Sequence, residues 1–136
     1  MKCCIAAAVF LSIALTNAWA LSPDEKAARD SALQWLEVMD SGHYAQAYRE
    51  MPPRVRTGKG EEIWVDNCRA RRTPLGHANS RKFMKAVHTT SIIGAPDGNY
   101  YRIGFKTSFE RKHNGAELLV LTRETGHWQV SGYRVY

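Results

Sequence analysis

Cysteine is almost missing from the part of this chain expected to fold. Of 3 cysteines in 136 residues, Cys3 and Cys4 precede the first long apolar run and only Cys68 lies beyond it. One thiol closes no intrachain disulfide, so a disulfide framework is excluded. Cys68 is expected either to be buried or to pair with another chain. Histidine is scattered. His43, His77, His88, His113 and His127 share no helical turn and none stands at ligand spacing from Cys68. A zinc site needs three or four convergent ligands, so neither metal nor cofactor is expected. Ser108 and Ser131 lie in no nucleophile-turn motif, and Gly58-Lys59-Gly60 is too short for a phosphate-binding loop. No apolar run reaches the roughly 20 residues that cross a bilayer. There is no internal repeat, low-complexity tract or nucleic-acid motif, and nucleic acid is not an expected partner.

What is present begins with an address. Lys2 is followed by the apolar run Ile5 to Leu15 and then by Ala18-Trp19-Ala20, the small-x-small pattern of a cleavage site. Residues 1–20 are therefore expected to be a cleavable secretory signal, and 21–136 a single domain in the periplasm or outside the cell. Losing Lys2 lowers the formal charge from +6 to about +5. Basic residues concentrate at Arg54–Lys59, Arg69–Arg72, Arg81–Lys85 and Arg111–His113. They form either an ordinary solvated surface or an attractant for an anionic partner.

Ser22-Pro23-Asp24-Glu25 has the form of a capping box opening a helix. Ala28, Ala32, Trp35, Leu36 and Met39 give it one apolar face to about Met39. Gly42 suits the left-handed terminus. Asp40, in the turn, is expected to bond local backbone. Tyr44, Ala47, Tyr48 and Met51 share the face of a short second helix stopped by Pro52-Pro53. Arg54–Gly60 reads as a basic loop. Glu61 to Arg71 reads as a third helix, acidic at its start and basic at its end, with the aliphatic stem of Arg72 turned inward.

The period then changes to two. Phe83, Lys85, Val87 and Thr89 are predicted on one face of a first strand. Ala95-Pro96-Asp97-Gly98 is a turn in which Gly98 supplies positive φ. Tyr101, Ile103, Phe105, Thr107 and Phe109 alternate most cleanly. Lys112–Gly115 is predicted as the next turn, Glu117, Leu119 and Leu121 as one face of a third strand, and Trp128 to Val135 as a closing strand. Strands of this length joined by short turns predict a four-stranded antiparallel meander. With helices first and strands after, the fold class is α+β, about three N-terminal helices packed on a curved sheet.

One ordered set of motifs points further. Trp35-Leu36, Asp40-Ser41-Gly42-His43-Tyr44, Ala47-Tyr48, Trp64, Arg72-Thr73-Pro74-Leu75-Gly76, Ser80-Arg81, Pro96-Asp97-Gly98, Phe105 to Phe109, Glu117 and Trp128 to Tyr133 occur in succession. In this order they resemble a family of secreted bacterial proteins catalogued as domain of unknown function 4019. The layout is also similar to the nuclear-transport-factor-2-like superfamily, whose helices sit in the concave face of a bent sheet. That resemblance implies a cone. It implies no reaction, because such cones host isomerases, dehydratases, binding modules and assembly domains.

An isomerase or dehydratase would need a pocket base and a donor to the developing oxyanion. Most acids are misplaced for this. Asp24, Glu25 and Asp30 fall on the outer face of the first helix, and Asp97 and Glu124 in or beside turns. Glu117 lies on a strand, facing either the concavity or solvent, and an ion pair or a solvated strand position there is the ordinary outcome. Trp35, Tyr48, Trp64, Phe83, Phe105, Phe109 and Trp128, with Glu117, are the candidates to line the space between helices and sheet. That space is either a filled core or a pocket for an apolar or amphipathic ligand. The function expected is that of an exported, non-catalytic domain of the cell envelope binding a small ligand or an envelope protein, with a homodimer through the sheet as one arrangement. The alternatives are a small-molecule enzyme and a secreted inhibitor docking an anionic partner through its basic loops.

Overall fold

A computed structural model describes residues 20–56 and 60–136. The expected signal and cleavage motif up to Trp19, and Thr57, Gly58 and Lys59 of the basic loop, lie outside the described residues. Among the described residues four α-helices precede four strands: α1 (Pro23–Asp40), α2 (Tyr44–Arg49), α3 (Pro53–Arg56), α4 (Glu61–Arg72), then β1 (Ala78–Thr89), β2 (Tyr100–Phe109), β3 (Lys112–Thr122) and β4 (Gln129–Val135). Each strand pairs antiparallel with the next, in the order β1-β2-β3-β4. The fold is the expected α+β arrangement of helices followed by an antiparallel meander.

α1 starts where its chemistry dictates. The Ser22 hydroxyl accepts from the Glu25 N–H at 3.2 Å, and the Glu25 carboxylate accepts from the Ser22 N–H at 3.4 Å. Gly42, at φ +75°, ends the turn beyond the helix. Ala28, Ala32, Trp35, Leu36 and Met39 are all buried. This stripe lies across the sheet and touches all four strands, so one helix covers most of the apolar face. Fully burying a side chain such as Leu36 or Met39 stabilises by about 1.5–3 kcal/mol.

Three local expectations are corrected. First, the basic loop after Pro52 begins with one helical turn, α3. Pro53 fits that first turn because it needs no N–H there. Second, the β2–β3 turn is Glu110-Arg111, with Phe109 opposite Lys112. Its two N–H groups donate to His77 O (2.7 Å) and Leu75 O (2.9 Å), so tertiary bonds fix a turn that carries no glycine. Third, positive φ in the β1–β2 loop belongs to Gly94 (+80°), not Gly98.

The strand face of β1 is also corrected. An irregularity between Phe83 and Lys85 puts Phe83 opposite Phe105 but Lys85 opposite Gly104. The extra residue flips the alternation. Arg81, Phe83, Ala86 and His88 therefore face the helices, and Lys82, Lys85, Val87 and Thr89 face away. β4 carries a matching irregularity where it passes Val120 and Leu121. With both edge strands bulged, the sheet curls around α1.

Gly115 is set by contact. A Cβ there would lie 2.8 Å from the Phe109 ring and 2.9 Å from the Thr107 carbonyl. Phe109 is fully buried and the carbonyl is backbone, so neither can retreat. Gly115→Ala should cost about 1–3 kcal/mol, read as a lower urea midpoint with an unchanged m-value.

Candidate functional site

The inward face of the sheet is apolar except at one end, where four charges meet. Asp40 closes α1, Arg72 closes α4, Arg81 stands on β1 and Glu117 on β3. Arg81 forks: Nη1 and Nη2 donate to Asp40 Oδ2 and Oδ1 at 2.9 and 3.0 Å, and Nη2 donates to Glu117 Oε1 and Oε2 at 2.9 and 3.2 Å. Arg72 Nη2 donates to Asp40 Oδ1 at 2.7 Å, and Nη1 to the Tyr133 hydroxyl at 2.9 Å. The Arg72 guanidinium also lies 5.1 Å from the centre of the Phe109 ring. Glu117 is fully buried, and the side chains of Arg72 and Arg81 are 4% and 12% exposed.

Two positive and two negative groups thus balance inside the protein. Taking such charges out of water costs several kcal/mol per ion unless each is paired. Here Asp40 bridges the two guanidiniums and Arg81 bridges the two carboxylates. Burial would raise the Asp40 pKa, but the Arg81 and Arg72 guanidiniums outweigh it and hold the carboxyl below its ordinary value of 3.8. Burial, reinforced by the nearby Glu117 charge, pushes the Tyr133 phenol well above its ordinary range.

The sign for stability follows. Asp40 has a native pKa below its unfolded one, so the unfolded chain takes up the proton first. Its contribution is complete above the ordinary carboxylate value and is lost as pH falls through the native one. Urea midpoints measured across that acid limb should fall with pH. Asp40→Asn, less stable at neutral pH, should show a smaller acid-side decline.

The expected site residues separate into two groups. Trp35, Tyr48, Phe105, Phe109 and Trp128 are buried hydrophobics between helices and sheet. Trp64 and Phe83 are partly buried against that core. Trp35 is the hub: its ring centre is 6.2 Å from that of Trp64 and 5.3 Å from that of Tyr133. Its Nε1–H donates to Ala47 O at 2.9 Å, a carbonyl left without an intrahelical partner at the end of α2. The eighth residue, Glu117, faces inward and is ion-paired. Aromatic side chains therefore fill the centre of the cone.

Asp40 does not bond its local backbone, as expected from the sequence, but the two arginines. Arg72 is buried with its guanidinium, not only its stem. Neither these two nor Arg81 and Tyr133 were candidates by sequence. A signal did exist: Glu117 precedes Leu119 by two and Arg81 precedes Phe83 by two, so opposite charges occupy inward positions on two strands. The bulge in β1 obscured the second half of that pattern.

Beside the network, between α4 and β4, opens a half-exposed cleft of about 250 Å³ lined by Trp64, Cys68, Arg71, Arg72, Tyr133 and Arg134 among others. Of the expected aromatics, only Trp64 reaches it. Burial raises the Cys68 thiol to about 11, so it is mostly protonated at neutral pH and a poor nucleophile. Among the described residues no group of three His, Cys, Asp or Glu side chains is placed to hold a metal ion.

The class this defines is an α+β domain whose helices cover an antiparallel sheet and whose interior holds a charge-balanced network. The family model of a protein of unknown function (DUF4019) matches residues 31–133, from the middle of α1 to Tyr133 on β4, and the chain belongs to that family. No curated protein matches it.

Proposed function

We propose that the protein is an exported, non-catalytic binding domain of the cell envelope, with the α4–β4 cleft as its ligand seat. The observation that carries this is the engagement of the network's carboxylates. Asp40 and Glu117, the carboxylates of the network beside the cleft, have all four oxygens engaged by Arg81 and Arg72. The neighbouring Tyr133 hydroxyl receives the Arg72 N–H. A general base must be free to take a proton, and these groups are committed to holding the fold. The cleft beside them combines the Trp64 ring with Arg71. That pairing suits a small ligand with an apolar body and an anionic end.

Mass spectrometry of protein expressed with its own leader and purified from the periplasm tests this. The chain should begin at Leu21. A small anionic amphiphile should accompany it, and Trp64→Ala/Arg71→Ala should release that compound. A retained N-terminus counts against export. Turnover of a co-purified compound, abolished by Glu117→Gln in a folded variant, would replace binding with catalysis.

A further inference from the structure

The face of the sheet turned away from the helices has a single sign of charge. The strand register sets its rows. Lys82 lies opposite Lys106, which lies opposite Ala116. Lys85 lies opposite Gly104, followed by Leu118 and Arg134. Val87 lies opposite Arg102, followed by Val120 and Gly132. Five cations thus occupy three adjacent rows, and no carboxylate shares these rows. All five are exposed, and among the described residues none of them forms an ion pair. Of the cations in the stretches that looked like basic patches by sequence, Arg54 pairs with Glu124, Arg69 with Asp66, and Arg72 and Arg81 with Asp40, whereas Lys82 and Lys85 stand among these five.

Lys82 and Lys106 are directly opposed, a placement that weakens a sheet and that nothing in the fold requires. Apolar side chains stand beside these charges. Met84, the extra residue of the β1 bulge, and Val87 are exposed, and Ile93 is fully exposed. The loop carrying Ile93 lines a depression together with Val120, Ser131 and Gly132, which places it at the border of the cationic rows.

We infer that this face docks on a bilayer surface rich in anionic phospholipid, with the lysines and arginines meeting headgroup phosphates and Met84, Val87 and Ile93 reaching the acyl boundary. Charge complementarity selects an anionic occupant. The exposed apolar side chains among the cations select an interface with an apolar layer beneath its charge. A second copy stacked on the same face would set five cations against five. The inference rests on the protein being an exported binding domain and adds the surface it works on.

Co-sedimentation of the periplasmically expressed protein with vesicles tests it. Vesicles of phosphatidylcholine alone are compared with vesicles containing roughly a quarter phosphatidylglycerol, at about 0.05 M and about 0.5 M salt, concentrations that bracket strong screening. Binding should require the anionic lipid and fall at high salt. Arg102→Glu/Lys106→Glu should weaken it more than tenfold while its urea midpoint stays at or above the wild-type value. Ile93→Asp should also weaken it, with a smaller salt dependence of the loss. Equal binding to neutral vesicles, undiminished binding by the double variant, or binding to soluble polyglutamate in place of vesicles would overturn the inference. A ligand that still co-purifies when vesicle binding fails would sink the docking surface and leave the binding domain standing.

Discussion

Replacing Arg81 with methionine should destabilise the protein by about 3–5 kcal/mol, the usual cost of stranding a buried charge. Among the described residues Arg81 is the sole ion-pair partner of Glu117, and Glu117 is fully buried on the inward face of β3. Asp40 retains Arg72 when Arg81 is lost, so the damage concentrates on one carboxylate. The loss therefore reflects an uncompensated Glu117 more than the strength of the broken bonds. This has a consequence that a simple count of lost bonds does not share. Arg81→Met/Glu117→Leu should recover much of the loss, because two apolar side chains of similar volume replace the pair and no charge is left stranded. Urea unfolding of the two single variants and the double variant closes the cycle. A double variant as unstable as the sum of the singles would refute the stranded-charge account.

Trp35→Ala should cost a similar amount, about 3–5 kcal/mol. The side chain is 3% exposed and joins α1 to three other elements: α2 through the bond to Ala47 O, α4 through the Trp64 ring and β4 through the Tyr133 ring. Truncation opens a cavity that these rigid neighbours cannot close, and it removes the donor that satisfies the end of α2. Trp35→Phe keeps most of the packing and loses only the N–H, so about 1–3 kcal/mol is expected. Thermal melts followed by near-ultraviolet circular dichroism give both values. They also report whether Trp64 and Tyr133 keep their asymmetric surroundings. An alanine variant as stable as the phenylalanine one would show that α1 is held elsewhere.

Most of the element plan was legible in the sequence because it rests on local rules. The capping box at Ser22, the five buried positions of α1 and the alternation of β2 need only neighbours three, four or two residues away. Legibility failed where a single residue changes phase. The bulge at Met84 inverts the faces of β1 and moves Lys85 and Val87 to the outside. The Glu110-Arg111 turn escaped notice because its hydrogen bonds go to Leu75 and His77, which are distant in sequence. Gly115, read as part of a turn, is instead required by the ring of Phe109.

The candidate site was legible only in part. Glu117 was recognisable as a strand acid facing either the concavity or solvent, with an ion pair or a solvated position as the ordinary expectation. Its partner was not recognisable, because Arg81 comes from the far side of the meander. Asp40 looked like a turn residue, and only the approach of α4 and β1 turned its carboxylate into the centre of four charges.

By itself the sequence determined the order of helices and strands, the apolar stripe of α1, the class of the fold and the family. These depend on periodicity and on residues close along the chain, where the geometry of a helix or a strand is already known. The tertiary structure alone decided which charges are neutralised inside and which are left on the open sheet face. Pairing across 32, 36 and 41 residues depends on strand register and helix docking, and a one-residue bulge is enough to exchange the two sides.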